Sequence, residues 1–246
     1  MNHSKAIATH LLAVMVFSLA ARPVDADENA AAAPAVSWSA AAGIATRYVS
    51  RGLDLTNGPW VPAASAEWRF GGGWYVDADA TKVNYFGNEF EADGSAGFRG
   101  RAGGLNVDLG VYEYYFPGTI GEKVRTKEAG LRLSWGTGRI VPVLELFHSP
   151  NYFFGSGRSL YADVGADLRL RSVFSVSGRY GYTHVENLTA FAYPNYRNWL
   201  VTATRSLGAW DLALQLSDTS MNRSECLYDN RCSLKYTLRL TRNFGS

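Results

Sequence analysis

The sequence lacks any uncharged apolar stretch of the roughly 18 or more residues that a helix needs to cross a bilayer, which excludes a bundle of membrane helices. Charge is scarce: 19% of residues are Asp, Glu, Lys or Arg, and the formal net charge is +2. Without basic clusters there is no electrostatic footprint for nucleic acid. Cysteine and histidine are also few, with two and four copies, and none stands at the ligand spacing of a zinc site. No convincing helical period and no domain linker interrupts the chain. What the chain does have is 246 residues, 47% apolar and 13% aromatic, a composition that can bury a large surface and rules out disorder. A single compact fold is expected.

The amino terminus reads as an address. Lys5 is followed by an apolar stretch, Ala6 to Ala21, broken only by Thr9, His10 and Ser18, and then by Val24-Asp25-Ala26 with small or branched residues at the cleavage positions. This predicts a Sec signal peptide over 1–26, a flexible lead-in over 27–35 and one barrel domain over 36–246. Export would place the mature chain in an oxidising compartment.

Period-two alternation runs along the rest. Leu105, Val107, Leu109 and Val111 oppose Asn106, Asp108, Gly110 and Tyr112, and Trp210, Leu212, Leu214 and Leu216 oppose Asp211, Ala213, Gln215 and Ser217. A helix would not keep that phase. Twelve strands are predicted, at 36–51, 60–70, 74–83, 89–99, 105–116, 124–135, 139–148, 159–170, 173–183, 196–206, 210–219 and 234–244. Every second connection is short and mostly rich in glycine, such as Gly71-Gly72-Gly73 and Gly136-Thr137-Gly138, whereas the alternate ones are mostly longer, polar and aromatic. The pattern predicts an all-β fold: a closed, antiparallel, up-and-down transmembrane β-barrel of about twelve strands, with periplasmic termini, in the outer membrane.

Alternation alone does not say which face points inward. Tryptophan does: Trp38, Trp68, Trp74, Trp135 and Trp210 fall near the turn side, Trp60 and Trp199 near the loop side, and Ala, Leu and Val occupy mid-strand between them. Two aromatic girdles with aliphatic positions between them suit a hydrocarbon layer. Lipid tolerates no unpaired strand edge, so the sheet must close. Pro62 and Pro142 cannot donate to such a ladder, and both sit near strand ends, where a bulge is tolerable.

With the apolar face on lipid, the charged face lines a lumen. The candidate pore-lining residues are Arg47, Arg69, Asp77, Asp79, Glu91, Asp93, Glu145, Arg179, Lys235 and Arg239. Asp77, Asp79, Glu91 and Asp93 would form an acidic wall, and Lys235, Arg239, Arg47 and Arg69 a basic one near the closing strands. Passive diffusion of small hydrophilic solutes or ions through this lumen is the expected function. The alternatives are a sealed barrel, structural or adhesive, acting through its extracellular loops, and a soluble exported β-sandwich.

Enzymatic chemistry fits worse. His148 and Ser149 are strand neighbours that point to opposite faces, so they cannot serve as base and nucleophile. Asp77-x-Asp79 could hint at calcium but reads as a solvated wall. No catalytic residue, metal or cofactor is expected. The expected partners are outer-membrane lipid, the barrel-assembly machinery and small hydrophilic solutes; a homo-oligomer is compatible with the pattern, though nothing specifies one. Cys226 and Cys232, in the last long loop, are predicted to form a disulfide that staples it.

Five segments carry a family resemblance: Arg47-Tyr-Val-Ser-Arg-Gly-Leu-Asp-Leu-Thr, Tyr115-Phe-Pro-Gly118, Ser149-Pro-Asn-Tyr-Phe-Phe-Gly155, Leu216-Ser-Asp-Thr219 and the Cys226 to Cys232 loop. In order and spacing they resemble the TorF-type porin family, also labelled Gcw_chp. The resemblance implies a Gram-negative outer-membrane barrel with a transport role and names no substrate. One departure is the carboxyl end, where Gly245 and Ser246 follow Phe244, the aromatic residue on which such barrels usually finish.

Overall fold

The computed structural model describes residues 36–56, 59–85, 87–118, 124–136, 138–171, 173–227 and 229–245. The predicted signal peptide and lead-in lie outside the described residues.

Twelve strands close into one antiparallel barrel, and a two-strand hairpin stands apart from the wall. In chain order the elements are β1 (Val36–Ala45), the hairpin strands β2 (Val49–Ser50) and β3 (Leu53–Asp54), then β4 (Val61–Phe70), β5 (Trp74–Tyr85), β6 (Asn88–Ala102), β7 (Leu105–Tyr115), β8 (Arg125–Trp135), β9 (Ile140–Ser149), β10 (Ser159–Arg171), β11 (Phe174–Val185), β12 (Tyr196–Leu207), β13 (Trp210–Thr219) and β14 (Lys235–Gly245). Each wall strand pairs with its neighbours in sequence, and β1 pairs with β14 to close the sheet. The described wall strands thus have no open edge, the condition lipid imposes. Eleven of the twelve predicted strands match a wall strand to within a few residues.

The first strand differs. It was expected to run to residue 51 but leaves the wall after Ala45. Alternation continues through Val49, Leu53 and Leu55, yet these side chains bury against the loops rather than face lipid. Period two reports that alternate residues are buried, not what they are buried against. The prolines stand near strand ends, as expected. Pro62 pairs with Ile44, and the ladder to β5 begins one residue later at Ala63. Pro142 pairs with Ala166, and the ladder to β8 begins at Val143. Each proline stands just beyond one ladder, so its missing N–H breaks no bond there and no bulge is needed. One short helical turn, Leu188–Phe191, capped by the Asn187 side chain, sits in a long loop.

The barrel is inside out relative to a soluble protein. Leu109, Val111, Val164, Leu212, Leu214 and Leu238 are exposed at mid-strand, while Glu67, Thr81, Glu145, Asp163 and Thr202 are buried. Trp38, Trp68, Trp74, Trp135, Trp210 and Phe244 are exposed near the short-turn end, and Trp60, Phe90, Tyr115 and Tyr236 near the long-loop end. Exposed aliphatic side chains between two rings of exposed aromatic ones fit a bilayer core and its two interfaces. The soluble sandwich is excluded by this polarity.

A second, apolar core sits at the long-loop end. It gathers Tyr48, Val49, Leu53 and Leu55 with Tyr85, Phe116, Tyr152, Phe191, Tyr193, Met221 and the two cysteines. Here the loops pack on one another and on the β2–β3 hairpin, which folds into the mouth of the barrel.

Candidate functional site

The loop between β1 and β4 reaches across the lumen. Its base is tied by the Arg47–Asp54 ion pair at 2.7 Å and by the Thr56 N–H and hydroxyl, both donating to Asp54 Oδ1. At its tip Arg51 has φ +47° and Gly52 φ +84°, a reversal that turns the Arg51 side chain toward the opposite wall. Two guanidinium N–H groups donate to Glu128 on β8, at 3.0 and 2.5 Å, and one also donates to Tyr152 Oη at 3.3 Å. Rings of Tyr161, Phe147 and Tyr152 lie 4.4, 5.4 and 5.9 Å from the guanidinium carbon, a cage suited to a cation. Burial alone would lower the Arg51 pKa, but Glu128 outweighs it and holds the guanidinium charged. Glycine is required next door: a Cβ on Gly52 would meet Thr219 Cγ2 at 2.6 Å and Asn198 Cβ at 2.8 Å.

The last long loop braces this tip. Cys226 and Cys232 are joined by a disulfide. Within that loop, the Arg231 carbonyl accepts from the Asp54 N–H at 2.9 Å, and Arg231 Nη1 donates to the Asp54 carbonyl at 3.1 Å. Thr219 donates to the Cys232 carbonyl at 2.6 Å. Beside this brace a cleft of about 630 Å³ opens among Arg47, Asp54, Asp229, Arg231 and Lys235.

Below the loop the lumen is narrow and charged. Toward the short-turn end, Glu67 binds Arg69 and, at 2.7 Å, Arg99, which also holds Asp108 at 2.7 Å and lies over the Tyr75 ring. Deeper, Arg132 pairs with Glu145, and Arg179 pairs with Asp167 at 2.7 Å. Close packing supports these rows: Gly97, Gly110 and Gly130 lie side by side on β6, β7 and β8, and a Cβ on Gly130 would meet both Phe147 and Tyr112 at 2.7 Å. Missing side chains there make room for rings laid against the wall.

On β5 and β6 the pattern changes. Asp79 stands directly across from Asp93, and Glu91 from Thr81. All three acids are buried, and among the described residues no basic side chain reaches salt-bridge distance of them. The buried Tyr48 phenol, on the inward loop, faces this row. Burial first, then the facing Glu91, Asp93 and Asp79, push its pKa well above the ordinary tyrosine range.

A family model described as "Bacterial protein of unknown function (Gcw_chp)" matches residues 29–243. The chain belongs to the Gcw_chp family. Among curated proteins none matches the sequence significantly. Among solved structures, "KdgM porin" aligns with a TM-score of 0.57 at 10% identity, covering 84% of this chain and 99% of that one. "NanC porin structure in rhombohedral crystal form" aligns with a TM-score of 0.57 at 8% identity, covering 84% of this chain and 98% of that one. The Gcw_chp barrel therefore has the porin fold, and its lipid-facing exterior is that of an outer-membrane barrel.

Nine of the ten sequence-predicted lining residues of the Gcw_chp barrel, all but Arg47, sit on the inner face of a wall strand. Asp77, accepting from Ser95 at 2.7 Å, stands in one row with Asp79, Glu91 and Asp93. Glu145 and Arg179 are buried in separate ion pairs. Arg239 lies on β14 across from Ala45 and Ala213. The four predicted basic residues do not form one wall: Arg69 is bound to Glu67 at the short-turn end, while Arg47 and Lys235 stand in the cleft at the loop end. Lys235 is held there by the Asn230 and Ser233 carbonyls. His148 faces outward and Ser149 inward, as strand parity requires.

Arg51, Glu128 and Tyr48 were missed as lining residues. Glu128 shares the inward parity of Arg132 on the same strand, so parity alone could have found it. Arg51 carried a weaker sign, a charge at the junction of the predicted first strand and its loop, between Tyr48-Val49 and Leu53-Asp54-Leu55.

Proposed function

We propose that this barrel is an outer-membrane channel passing small hydrophilic solutes or ions by passive diffusion, its width set by the loop anchored through Arg51. The single observation that carries the reading is the uncompensated acidic row. A barrel serving only as a wall would neutralise its interior, as the Arg132–Glu145 and Arg179–Asp167 pairs do. Asp79, Glu91 and Asp93 are left without a cation, at a desolvation cost that an unused interior has no reason to carry. The short-turn end and both chain ends face the periplasm in this reading, with the long loops outside. Delivery requires the amino-terminal signal peptide and the barrel-assembly machinery.

The acidic row also bears on the solute. One neighbouring structure is titled "KdgM porin in complex with disordered oligogalacturonate" (TM-score 0.54, 10% identity). A polyanion of that kind is repelled by three unpaired carboxylates, so neutral or cationic solutes suit this lumen. Conductance of the purified barrel in planar bilayers tests the proposal: discrete steps with cation preference support it, and no current above the lipid background refutes it.

A second reading has its own support. The apolar core at the loop end and the hairpin inside the mouth favour a closed barrel acting through its loops. Absence of conductance, together with absence of liposome swelling, would select it.

A further inference from the structure

The lumen holds three acids that the protein does not neutralise and three hydroxyls that it does not satisfy, and they adjoin. Ser65 lies across from Asp79 on the β4–β5 ladder, Thr81 across from Glu91 on β5–β6, and Tyr114 across from Asp93 on β6–β7. Opposed residues of a ladder share a face, so all six point inward. Among the described residues Ser65 Oγ, Thr81 Oγ1 and Tyr114 Oη have no hydrogen-bond partner, although these three side chains belong to residues only 9%, 2% and 6% exposed. Asp79 Oδ2 and Glu91 Oε2 are likewise unpartnered, and Asp93 has only the Tyr115 backbone N–H nearby. Buried polar groups in proteins are nearly always paired, so six neighbouring side chains with unmet acceptors define a recess that a bound group completes.

The charge of the recess selects a cation, and its mixture of carboxylates and hydroxyls selects the kind. Among the described residues no three carboxylate, histidine or cysteine side chains are placed to hold a metal ion. A cation that carries several N–H groups can donate to the carboxylates and to the hydroxyl oxygens of the recess together, each through a charge-assisted hydrogen bond of about 2.8 Å. A cavity of about 50 Å³, lined by Arg51, Leu53 and Leu55 of the inward loop, reaches Glu91 and Tyr114.

We propose that Asp79, Glu91 and Asp93, with Ser65, Thr81 and Tyr114, form an intralumenal binding site for a small ammonium cation bearing N–H donors. The site deepens the channel reading and rests on it: it is the station at which a cationic solute sheds water on its way through the wall of charge. Arg51 and Glu128 border the same cavity on its other side, so the loop that narrows the lumen also covers the site.

Methylammonium and tetramethylammonium carry the same charge, but the latter has no N–H to donate. Titration calorimetry of the full chain in detergent, with each chloride salt as probe, should give saturable binding of methylammonium and at least about tenfold weaker binding of tetramethylammonium, the order that a lost charge-assisted hydrogen bond accounts for. The D79N/E91Q/D93N variant should lose methylammonium binding by about tenfold or more, and S65A/T81A should weaken it with every carboxylate in place. Heat-modifiable gel migration establishes that each variant is a folded barrel. No saturable binding to the unaltered chain, equal binding of the two cations, or full binding by folded D79N/E91Q/D93N would each overturn the site. Bilayer recordings of the same preparation separate the two claims: binding without current removes the channel and keeps the site, and current without binding does the reverse.

Discussion

Replacing Arg51 by alanine should free the loop from the lumen. The Arg51 side chain is 5% exposed and its partner Glu128 is fully buried, so R51A leaves a buried carboxylate without its cation and empties the space the guanidinium fills beside Phe147, Tyr152 and Tyr161. Breaking a buried pair by removing one member costs about 3–5 kcal/mol. The barrel ladder does not pass through either side chain, so the cost falls on docking of the loop rather than on closure of the wall. That energy shifts the ratio of seated to released loop by about two to four powers of ten. Val49, Leu53 and Leu55 still favour the seat, which makes the expected outcome a loop that opens often, not a misfolded barrel. Two readouts follow it: unit conductance in bilayers, which rises, and hydrogen exchange of the amides over 48–56, which accelerates. E128A should act in the same direction because it strands the guanidinium. The double variant removes both charges and should cost less than the two single changes added together. Unchanged conductance and unchanged exchange in both single variants, or strict additivity in the double one, would refute the clasp.

Gly52→Ala perturbs the same loop by shape: positive φ and the overlap with Thr219 and Asn198 together cost about 1–3 kcal/mol, seen as faster proteolysis of the loop with the barrel intact. Protection equal to the parent would show that the tip does not press on β12 and β13. Serine at both Cys226 and Cys232 removes a link over a sequence separation of 6, which the chain-entropy estimate places at about 2 kcal/mol of loop ordering. Free thiols detected in the native parent would contradict the bridge itself. On the outside, Leu214→Arg places a charge at mid-membrane and should cost about 2–4 kcal/mol in refolding titrations into lipid, whereas Gln215→Arg, one residue on, points into the lumen and should largely escape that penalty. Equal penalties would contradict the assigned polarity of the wall.

Wall strands were legible in the sequence because one rule governs them all. Every residue from Trp210 to Leu216 takes its face from period two, and the surrounding lipid forces the same sense on each strand. The inward position of Asp79, Glu91, Glu145 and Arg179 follows from the same parity. Pairing was not legible, because it depends on which neighbours the register brings together. Glu145 meets Arg132 across β8 and β9, and nothing in either strand alone announces it. The inward fold of residues 46–56 was hidden for a different reason. Val49 and Leu55 alternate like lipid-facing residues but answer to a local apolar core, and a single sequence carries no mark of which oil a side chain enters. Arg51 sat in plain view inside a recognisable segment, yet its role depends on Glu128, 77 positions away.

The hairpin within the mouth has a bearing on how the molecule is made. Its residues leave the ribosome early, while the surfaces that receive it belong to β8, β10, β12 and β13, and its hydrogen bonds to Arg231 span 177 positions. Contacts of that separation form late, since so much chain must be ordered first. Closure of the wall between β1 and β14 is longer-range still, with Ala45 opposite Arg239, so the hairpin and the seam both wait for the last strands. A chain cut short before residue 231 therefore lacks both the seam and the clamp on Asp54, and its hairpin has no complete seat.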